Sequence, residues 1–181
     1  QRQMCIRDRV SALKRLLFSS LITEADSLVS NGVRLRVIGD LGPFGPKVLD
    51  LVQHTERRTA DNDKLELVIA VNYGGRWDVV SACRRLAVKV AEGTISSDDI
   101  DERSVAESLS TSTLPDPDLC IRTGGEYRIS NFLLWQLAYT ELYFSEVLWP
   151  EFREDEFVEA LNWYATRQRR FGKTQDQIRA S

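Results

Sequence analysis

The chain has 181 residues, of which 43% are hydrophobic and 28% charged, and its formal net charge is −3. This length and balance are ordinary for a soluble, single-domain globular protein, and a slightly acidic chain gives no reason to expect nucleic acid as a partner. No apolar run approaches the roughly 20 residues that span a bilayer, and no secretory signal is visible.

The amino-terminal third is predicted to contain a leader and a helix. Residues 1–9 show no useful periodicity, and we interpret them as a foreign or disordered leader; a flexible basic arm for an anionic surface is the alternative. From Val10 onward, apolar residues recur at steps of three and four, which predicts a helix that stops at Asn31-Gly32. Residues 10–181 are expected to form one domain.

The rest of the chain alternates between strand and helix patterns. The predicted strands are 33–38, 65–71, 119–121 and 141–144. The predicted helices are 46–58, 77–92, a short one capped by Asp101, and 155–171. This alternation is typical of βαβ units, so the expected fold class is α/β with a largely parallel sheet flanked by helices.

The segment 118–144 carries the clearest chemical signal. Its apolar run ends in Arg122, and the T-G-G that follows allows a sharp turn. Two guanidinium groups and a hydroxyl, from Arg122, Arg128 and Ser130, then lie within nine residues at the end of a strand. This set suits an anionic ligand such as a diphosphate. Ion pairs with Glu126 on a solvated loop are an equal alternative from the pattern alone.

The whole segment resembles the signature of the cis-prenyltransferase family, and within it the bacterial undecaprenyl diphosphate synthases. The resemblance covers about residues 10–172. Within the segment, the residues that match the signature in order are R-T-G-G-E from Arg122, the arginine at 128, S-N-F-L from Ser130 and W-Q from Trp135. Two further stretches also look like family motifs: N-Y-G-G-R-W-D from Asn72 and L-W-P from Leu148.

The resemblance implies a reaction. Isopentenyl diphosphate is joined to an allylic diphosphate, farnesyl diphosphate, which loses its diphosphate as a new cis double bond forms. The product would be a long-chain polyprenyl diphosphate, the precursor of the bacterial cell-wall lipid carrier. The resemblance also implies Mg²⁺ as cofactor, a homodimer, a cytoplasmic location and at most peripheral contact with membranes.

Residue roles follow from the same resemblance. Glu141 matches the acidic position associated with Mg²⁺, although a surface carboxylate is the alternative. Arg170 and Gly172 match an R-x-G element that reaches the partner subunit's active site, although a basic helix end is the alternative. The positions that would hold isopentenyl diphosphate are Arg122, Arg128, Ile129 and Ser130.

Two elements of the family pattern do not occur in these 181 residues: D-G-N-G-R-W, whose aspartate binds Mg²⁺ and diphosphate, and F-S-x-x-N-W-x-R-P. We therefore expect a truncated copy that lacks the catalytic aspartate, is inactive alone, and has unpaired strand edges that favour aggregation. The alternative is a non-catalytic partner subunit of a heteromeric cis-prenyltransferase. The presence of Arg122, Arg128 and Ser130 favours the enzyme fragment.

The cysteines and the histidine predict neither a disulfide framework nor a zinc site. Cys5, Cys83 and Cys120 are odd in number, far apart and without C-x-x-C spacing, which favours a reducing cytoplasm. His54 is the one histidine, so a site made of several histidines is excluded, and its polar neighbours predict a surface helix position.

Overall fold

The computed structural model describes residue 16, residues 19–20 and residues 23–167. The chain divides into two compact units, Gln1–Tyr73 and Gly74–Ser181. The start of the predicted first helix, from Val10, lies outside the described residues. Residues 23–30 are helical and end at a turn formed by Asn31 and Gly32, as predicted.

Besides the helical residues 23–30, the described part of the first unit contains two parallel strands and one further helix. Strand β1 is Val33–Ile38, helix α1 is Pro46–Arg58, and strand β2 is Leu65–Ala70. β1 and β2 pair in parallel over their whole length, from Val33↔Leu65 to Ile38↔Ala70. A single 3₁₀ turn, Gly42–Phe44, precedes α1. His54 is exposed on α1, as predicted.

The core of this unit forms between α1 and β1. Val48 and Val52 lie four residues apart, so they share one face of α1. Both are buried against Leu35 of β1, which is only 1% exposed. Each strand thus contributes inward-facing aliphatic residues to a small cluster that fixes α1 on the sheet.

The edge of β1 that faces away from β2 is satisfied by side chains. The Leu35 amide donates to the Thr59 hydroxyl at 3.0 Å, and the Val37 amide donates to the Glu56 carboxylate at 2.8 Å. The Val33 carbonyl accepts from the Asn62 amide at 2.8 Å. Side chains therefore occupy some of the positions that a further strand would use, while β1 has a strand partner on one side only in the described part of the chain.

Tight turns follow both strands at their carboxyl ends. Gly39 has φ 113°, and a Cβ there would lie 2.0 Å from the Val71 carbonyl oxygen, so only glycine fits. The Asn72 side-chain amide donates to the Asp40 carbonyl at 3.0 Å. These contacts hold the two turns against each other.

The second unit contains three helices and the other two strands. Helix α2 is Gly75–Ala91, helix α3 is Glu102–Ala106, strand β3 is Leu119–Arg122, strand β4 is Glu141–Phe144 and helix α4 is Glu154–Ala165. β3 and β4 pair in parallel from Leu119↔Glu141 to Arg122↔Phe144. As predicted, Asp101 caps α3: its carboxylate accepts from the Ser104 amide at 2.7 Å.

Helix α4 ends earlier than predicted. The prediction extended to residue 171; the helix ends at Ala165, and residues 168–171 of the prediction lie outside the described residues. The Thr166 and Arg167 amides donate to the Trp163 and Tyr164 carbonyls at 3.1 and 2.9 Å, three residues back instead of four. This tightening is a common way to finish a helix that has no glycine or proline stop.

The α/β class with parallel strands is confirmed. In the described part of the chain, however, the four strands form two separate pairs instead of one larger sheet. Within the residues that the structure describes, no helix has the length and apolar character needed to cross a membrane.

Candidate functional site

A cavity of about 240 Å³ lies beside the β3–β4 pair. Arg122 and Phe144 are the last residues of these parallel strands and are paired in register, so both strands end here. Ligands commonly bind at such carboxyl ends in α/β proteins. The walls are mainly apolar, and the lining residues are Cys120, Ile121, Arg122, Ile129, Phe132, Leu142 and Phe144.

Arg122 supplies the cationic group of this cavity. Its Nε atom is buried and has no hydrogen-bond partner in the structure. Burial of an unsatisfied donor on a charged group is unfavourable, so such a group points to a ligand. The backbone of Arg122 is fixed by strand pairing and by its carbonyl, which accepts from the Ser145 amide at 2.8 Å.

The T-G-G sequence after β3 forms the predicted turn. The Gly124 amide donates to the Val147 carbonyl at 2.8 Å, and the Gly125 amide donates to the Ser145 carbonyl at 3.0 Å. Both glycines have positive φ, 84° and 67°, which side chains disfavour. A Cβ on Gly125 would also lie 2.8 Å from a Glu146 carboxylate oxygen. The turn therefore requires glycine and is held by the segment after β4.

Arg128 forms an ion pair with Glu126, with 2.5 Å between a guanidinium nitrogen and a carboxylate oxygen. The side chains are 70% and 40% exposed, and exposed pairs contribute only about 0–1 kcal/mol. A diphosphate could displace Glu126 at little cost. The ion pair with Glu126, which the sequence analysis gave as the alternative for these arginines, therefore exists for Arg128, and it orders that side chain.

Tyr127 has a partner that the sequence did not reveal. Its hydroxyl donates to the Glu146 carboxylate. This hydrogen bond, and the negative charge of Glu146, raise the pKa of Tyr127. Its ring lies 5.4 Å from the ring of Phe144, a residue of the cavity wall. Tyr127 thus links the loop after β3 to the loop after β4.

The segment around Ser130 has an unusual backbone. Ser130, Asn131 and Leu133 have φ values of 49°, 64° and 43°. The left-handed region disfavours residues with a side chain by roughly 1–2 kcal/mol each, so surrounding contacts must hold this conformation. Of the predicted diphosphate-binding residues, the structure brings Arg122 and Ile129 to the cavity wall. Arg128 and Ser130 flank Ile129 along the chain without lining the cavity.

Asn131 is the contact that sequence reasoning missed. Its carbonyl accepts from the Gly75 amide at 2.7 Å, and its side-chain oxygen accepts from the Arg76 amide at 3.0 Å. These bonds join the S-N-F-L and N-Y-G-G-R-W motifs. Two signals were present in the sequence: asparagine tolerates the left-handed region, and paired glycines permit close approach of another backbone.

Glu141 lies away from this cavity. It begins β4 opposite Leu119, at the other end of the strand pair from Arg122. Its carboxylate accepts from the Arg167 guanidinium at 3.2 Å. Arg170 and Gly172 lie outside the described residues.

The described residues of one chain do not fit a complete Mg²⁺ site. Mg²⁺ is usually held by one or two carboxylates together with substrate phosphates. The predicted carboxylate, Glu141, is engaged by Arg167 and distant from the arginine that faces the cavity. No group of three histidine, cysteine or acidic residues comes together in the part of the chain that the structure describes.

The strand pairing and the cavity define the chain as an α/β protein with parallel strands and a candidate anion-binding cavity beside their carboxyl ends. Residues 6–172 match the family model described as putative undecaprenyl diphosphate synthase, so the chain belongs to that family. The resemblance stated from the sequence is confirmed.

Individual relatives agree with this assignment. The chain is 49% identical to a farnesyl-diphosphate-specific ditrans,polycis-undecaprenyl-diphosphate synthase of Pseudomonas syringae pv. tomato, covering 96% of this chain and 69% of the relative. It is 51% identical to the enzyme of that name from Escherichia coli K12, covering 92% of this chain and 66% of the relative.

Solved structures show the same fold. Lavandulyl diphosphate synthase from Lavandula x intermedia, in complex with dimethylallyl diphosphate, matches with a TM-score of 0.87 and 38% identity over 91% of this chain and 72% of that one. A probable undecaprenyl diphosphate synthase from Campylobacter jejuni matches with a TM-score of 0.81 and 34% identity, covering 92% and 76%.

Proposed function

We propose that this chain is part of a cis-prenyltransferase that joins isopentenyl diphosphate to farnesyl diphosphate to make a long-chain polyprenyl diphosphate. The observation that carries the proposal is the buried Nε of Arg122, unpartnered at the wall of an apolar cavity. An isoprenoid diphosphate has the matching chemistry, since it joins a hydrocarbon to a polyanion. Relatives named for farnesyl diphosphate, and a related structure that holds dimethylallyl diphosphate, support this ligand class.

The proposed roles follow from charge and position. Arg122 would donate to the diphosphate of isopentenyl diphosphate through its fork of N–H groups. Arg128 would exchange the Glu126 carboxylate for a phosphate oxygen, and the Ser130 hydroxyl would donate a further bond. Ile129 and the apolar wall would contact the isoprenyl carbons. Hydrogen bonds to charged groups contribute roughly 1.5–3 kcal/mol each.

Further features are proposed on the resemblance alone. These are Mg²⁺ as the cofactor of the whole reaction, a homodimer with R-x-G contacts through Arg170 and Gly172, a cytoplasmic location and peripheral membrane contact. A divalent cation would offset the charge of the leaving diphosphate. The residues described in a single chain do not form a site for it, so the arginines are the groups whose chemistry the geometry supports.

We also propose that these 181 residues alone do not catalyse the condensation, because D-G-N-G-R-W does not occur among them. The role of a non-catalytic partner subunit has less support. Such a subunit has no need for an apolar cavity with a buried, unpartnered arginine Nε at its wall, yet both are present.

Isothermal titration of the 181-residue chain with isopentenyl diphosphate tests the site. We expect saturable binding that Arg122→Ala weakens at least tenfold, equivalent to about 1.4 kcal/mol. Arg122→Lys should recover part of the affinity, since it keeps the charge but not the fork. Arg57→Ala is the matched control, because Arg57 is exposed on α1 and should have no effect. Equal affinities for wild type and Arg122→Ala would refute the proposed site.

A further inference from the structure

We infer that Asn131 is a positioning residue that fixes the Arg128–Ser130 segment to the amino end of α2. The inference rests on the proposed function, because it concerns how the proposed diphosphate-binding residues are held. It assigns a role to an asparagine that is neither a lining residue of the cavity nor a member of the ion pair of Arg128.

The amino end of α2 needs acceptors from outside the helix. The first amides of any helix have no partner within it, and a capping side chain usually satisfies some of them. The residue before α2 is Gly74, which has no side chain to offer. Asn131 supplies two acceptors instead: its carbonyl for the Gly75 amide at 2.7 Å and its side-chain oxygen for the Arg76 amide at 3.0 Å.

The two glycines make this approach possible. A Cβ on Gly74 would lie 2.7 Å from the Asn131 side-chain nitrogen, and a Cβ on Gly75 would lie 2.8 Å from the Leu134 backbone nitrogen. Both distances are shorter than non-bonded contacts allow. The absence of side chains at the two glycines therefore lets the S-N-F-L segment approach closely, and the hydrogen bonds of Asn131 hold it there.

The contact explains how the strained segment persists. Ser130 and Asn131 both have positive φ, 49° and 64°, and Asn131 bonds directly to α2. α2 is itself anchored, because its buried Asp78 accepts from the Ser110 amide and hydroxyl at 3.0 and 2.6 Å. Ser130 thus takes its position from a fixed helix. Such preorganisation increases affinity because less conformational freedom is lost on binding.

The neutrality of Asn131 is part of the inference. Aspartate caps helices as well as asparagine does, and its charge is favourable at the positive end of the helix. It would also place a negative charge next to Ser130, where the diphosphate is proposed to bind. Asparagine supplies the acceptor without that repulsion. Substitution by aspartate should therefore lower the affinity for diphosphate without lowering stability, whereas substitution by glycine removes the side-chain acceptor itself.

Isothermal titration with isopentenyl diphosphate, together with thermal unfolding, tests the role. Asn131→Gly keeps the positive φ and the backbone acceptor for Gly75 but removes the side-chain acceptor for Arg76, and it should weaken binding about tenfold. Asn131→Asp should weaken binding while leaving the melting temperature equal or higher. Gly75→Ala should weaken binding from the other side of the contact. Gly93→Ala is the control. Gly93 has φ 69° and open space around it, so this variant should have a lower melting temperature but unchanged affinity for isopentenyl diphosphate.

The double variant Asn131→Gly/Gly75→Ala shows whether both changes act through one contact. If they do, the double variant loses no more affinity than the single variant that binds less tightly. Wild-type affinity in both Asn131 variants, with Arg122→Ala still defective, would overturn the positioning role alone. Absence of binding by the wild-type chain would overturn the proposed function and this inference together.

Discussion

Burial near the end of β3 has different effects on the charge of two side chains, Cys120 and Arg122. Cys120 is a free thiol in the cavity wall, and burial raises its pKa, with the charge of Arg122 opposing part of that rise. Arginine side chains are not deprotonated in proteins under ordinary conditions. The same environment therefore suppresses a nucleophile and preserves an anion-binding group, which suits binding of a diphosphate better than thiol chemistry.

Alkylation of the cysteines reports on this environment. In a Cys5→Ser background at pH 8, iodoacetamide should react with Cys120 more slowly than with Cys83, which is exposed. Isopentenyl diphosphate should slow Cys120 further, since Cys120 lines the cavity, and leave Cys83 unchanged. Peptide mass spectrometry measures both rates. Equal rates at the two sites, with no protection, would contradict the assignment of the cavity.

The raised pKa of Cys120 also gives a pH dependence of stability. The folded protein retains the thiol proton above the ordinary value of 9.0, where the unfolded chain has begun to lose it. The contribution is complete below that value and is lost as pH rises through the folded pKa. Urea unfolding from pH 8 to pH 10.5 should show a steeper loss of stability in wild type than in Cys120→Ser.

At the scale of elements, local patterns predicted much of the fold. The strands 33–38 and 141–144 and the helix 46–58 have the predicted bounds, since alternation and a proline at the first helical position are local signals. The end of α4 was predicted too late because no glycine or proline occurs between Ala165 and Gly172. Its termination depends on backbone bonds that leave no compositional signal.

Contacts around the candidate site were predicted where they are local in sequence. Arg122 ends a strand, and Glu126 and Arg128 lie two residues apart, so their proximity is visible in the sequence. The bond from Asn131 to Arg76 crosses 55 positions, and spacing arguments do not reach that far. Glu141 was placed correctly on a strand, but strand prediction gives no register, which is why its distance from Arg122 emerged only from the structure.

The attachment of α2 is testable through Asp78, which is 1% exposed. Asp78→Ala leaves the amide and hydroxyl of Ser110 without this acceptor, and we expect a loss of about 3 kcal/mol in the free energy of unfolding. Asp78→Asn keeps one acceptor oxygen and should lose less. Asp98→Ala, at an exposed acid of the same unit, is the control. Urea unfolding measures all four proteins, and equal midpoints for the two alanine variants would disprove the anchoring role.

At the scale of the whole molecule, the chain matches 69% of the Pseudomonas relative's length and contains no D-G-N-G-R-W. We expect no product from these 181 residues with farnesyl diphosphate, isopentenyl diphosphate and Mg²⁺. Extension at the amino end with the D-G-N-G-R-W segment of a family member should restore synthesis, measured by incorporation of labelled isopentenyl diphosphate. The same extension with its aspartate changed to alanine is the control. Near-normal turnover by the unextended chain would refute the prediction.

The register of β3 and β4 also determines how far the two ends of that pair influence each other through solvent. Arg122 lies three positions along the ladder from the level of Glu141, a backbone separation of about 10 Å. Counter-ions screen charges over about 8 Å at physiological ionic strength and about 30 Å in 0.01 M salt. The Glu141–Arg167 pair and the cavity arginine are therefore coupled more strongly in dilute buffer than in physiological salt.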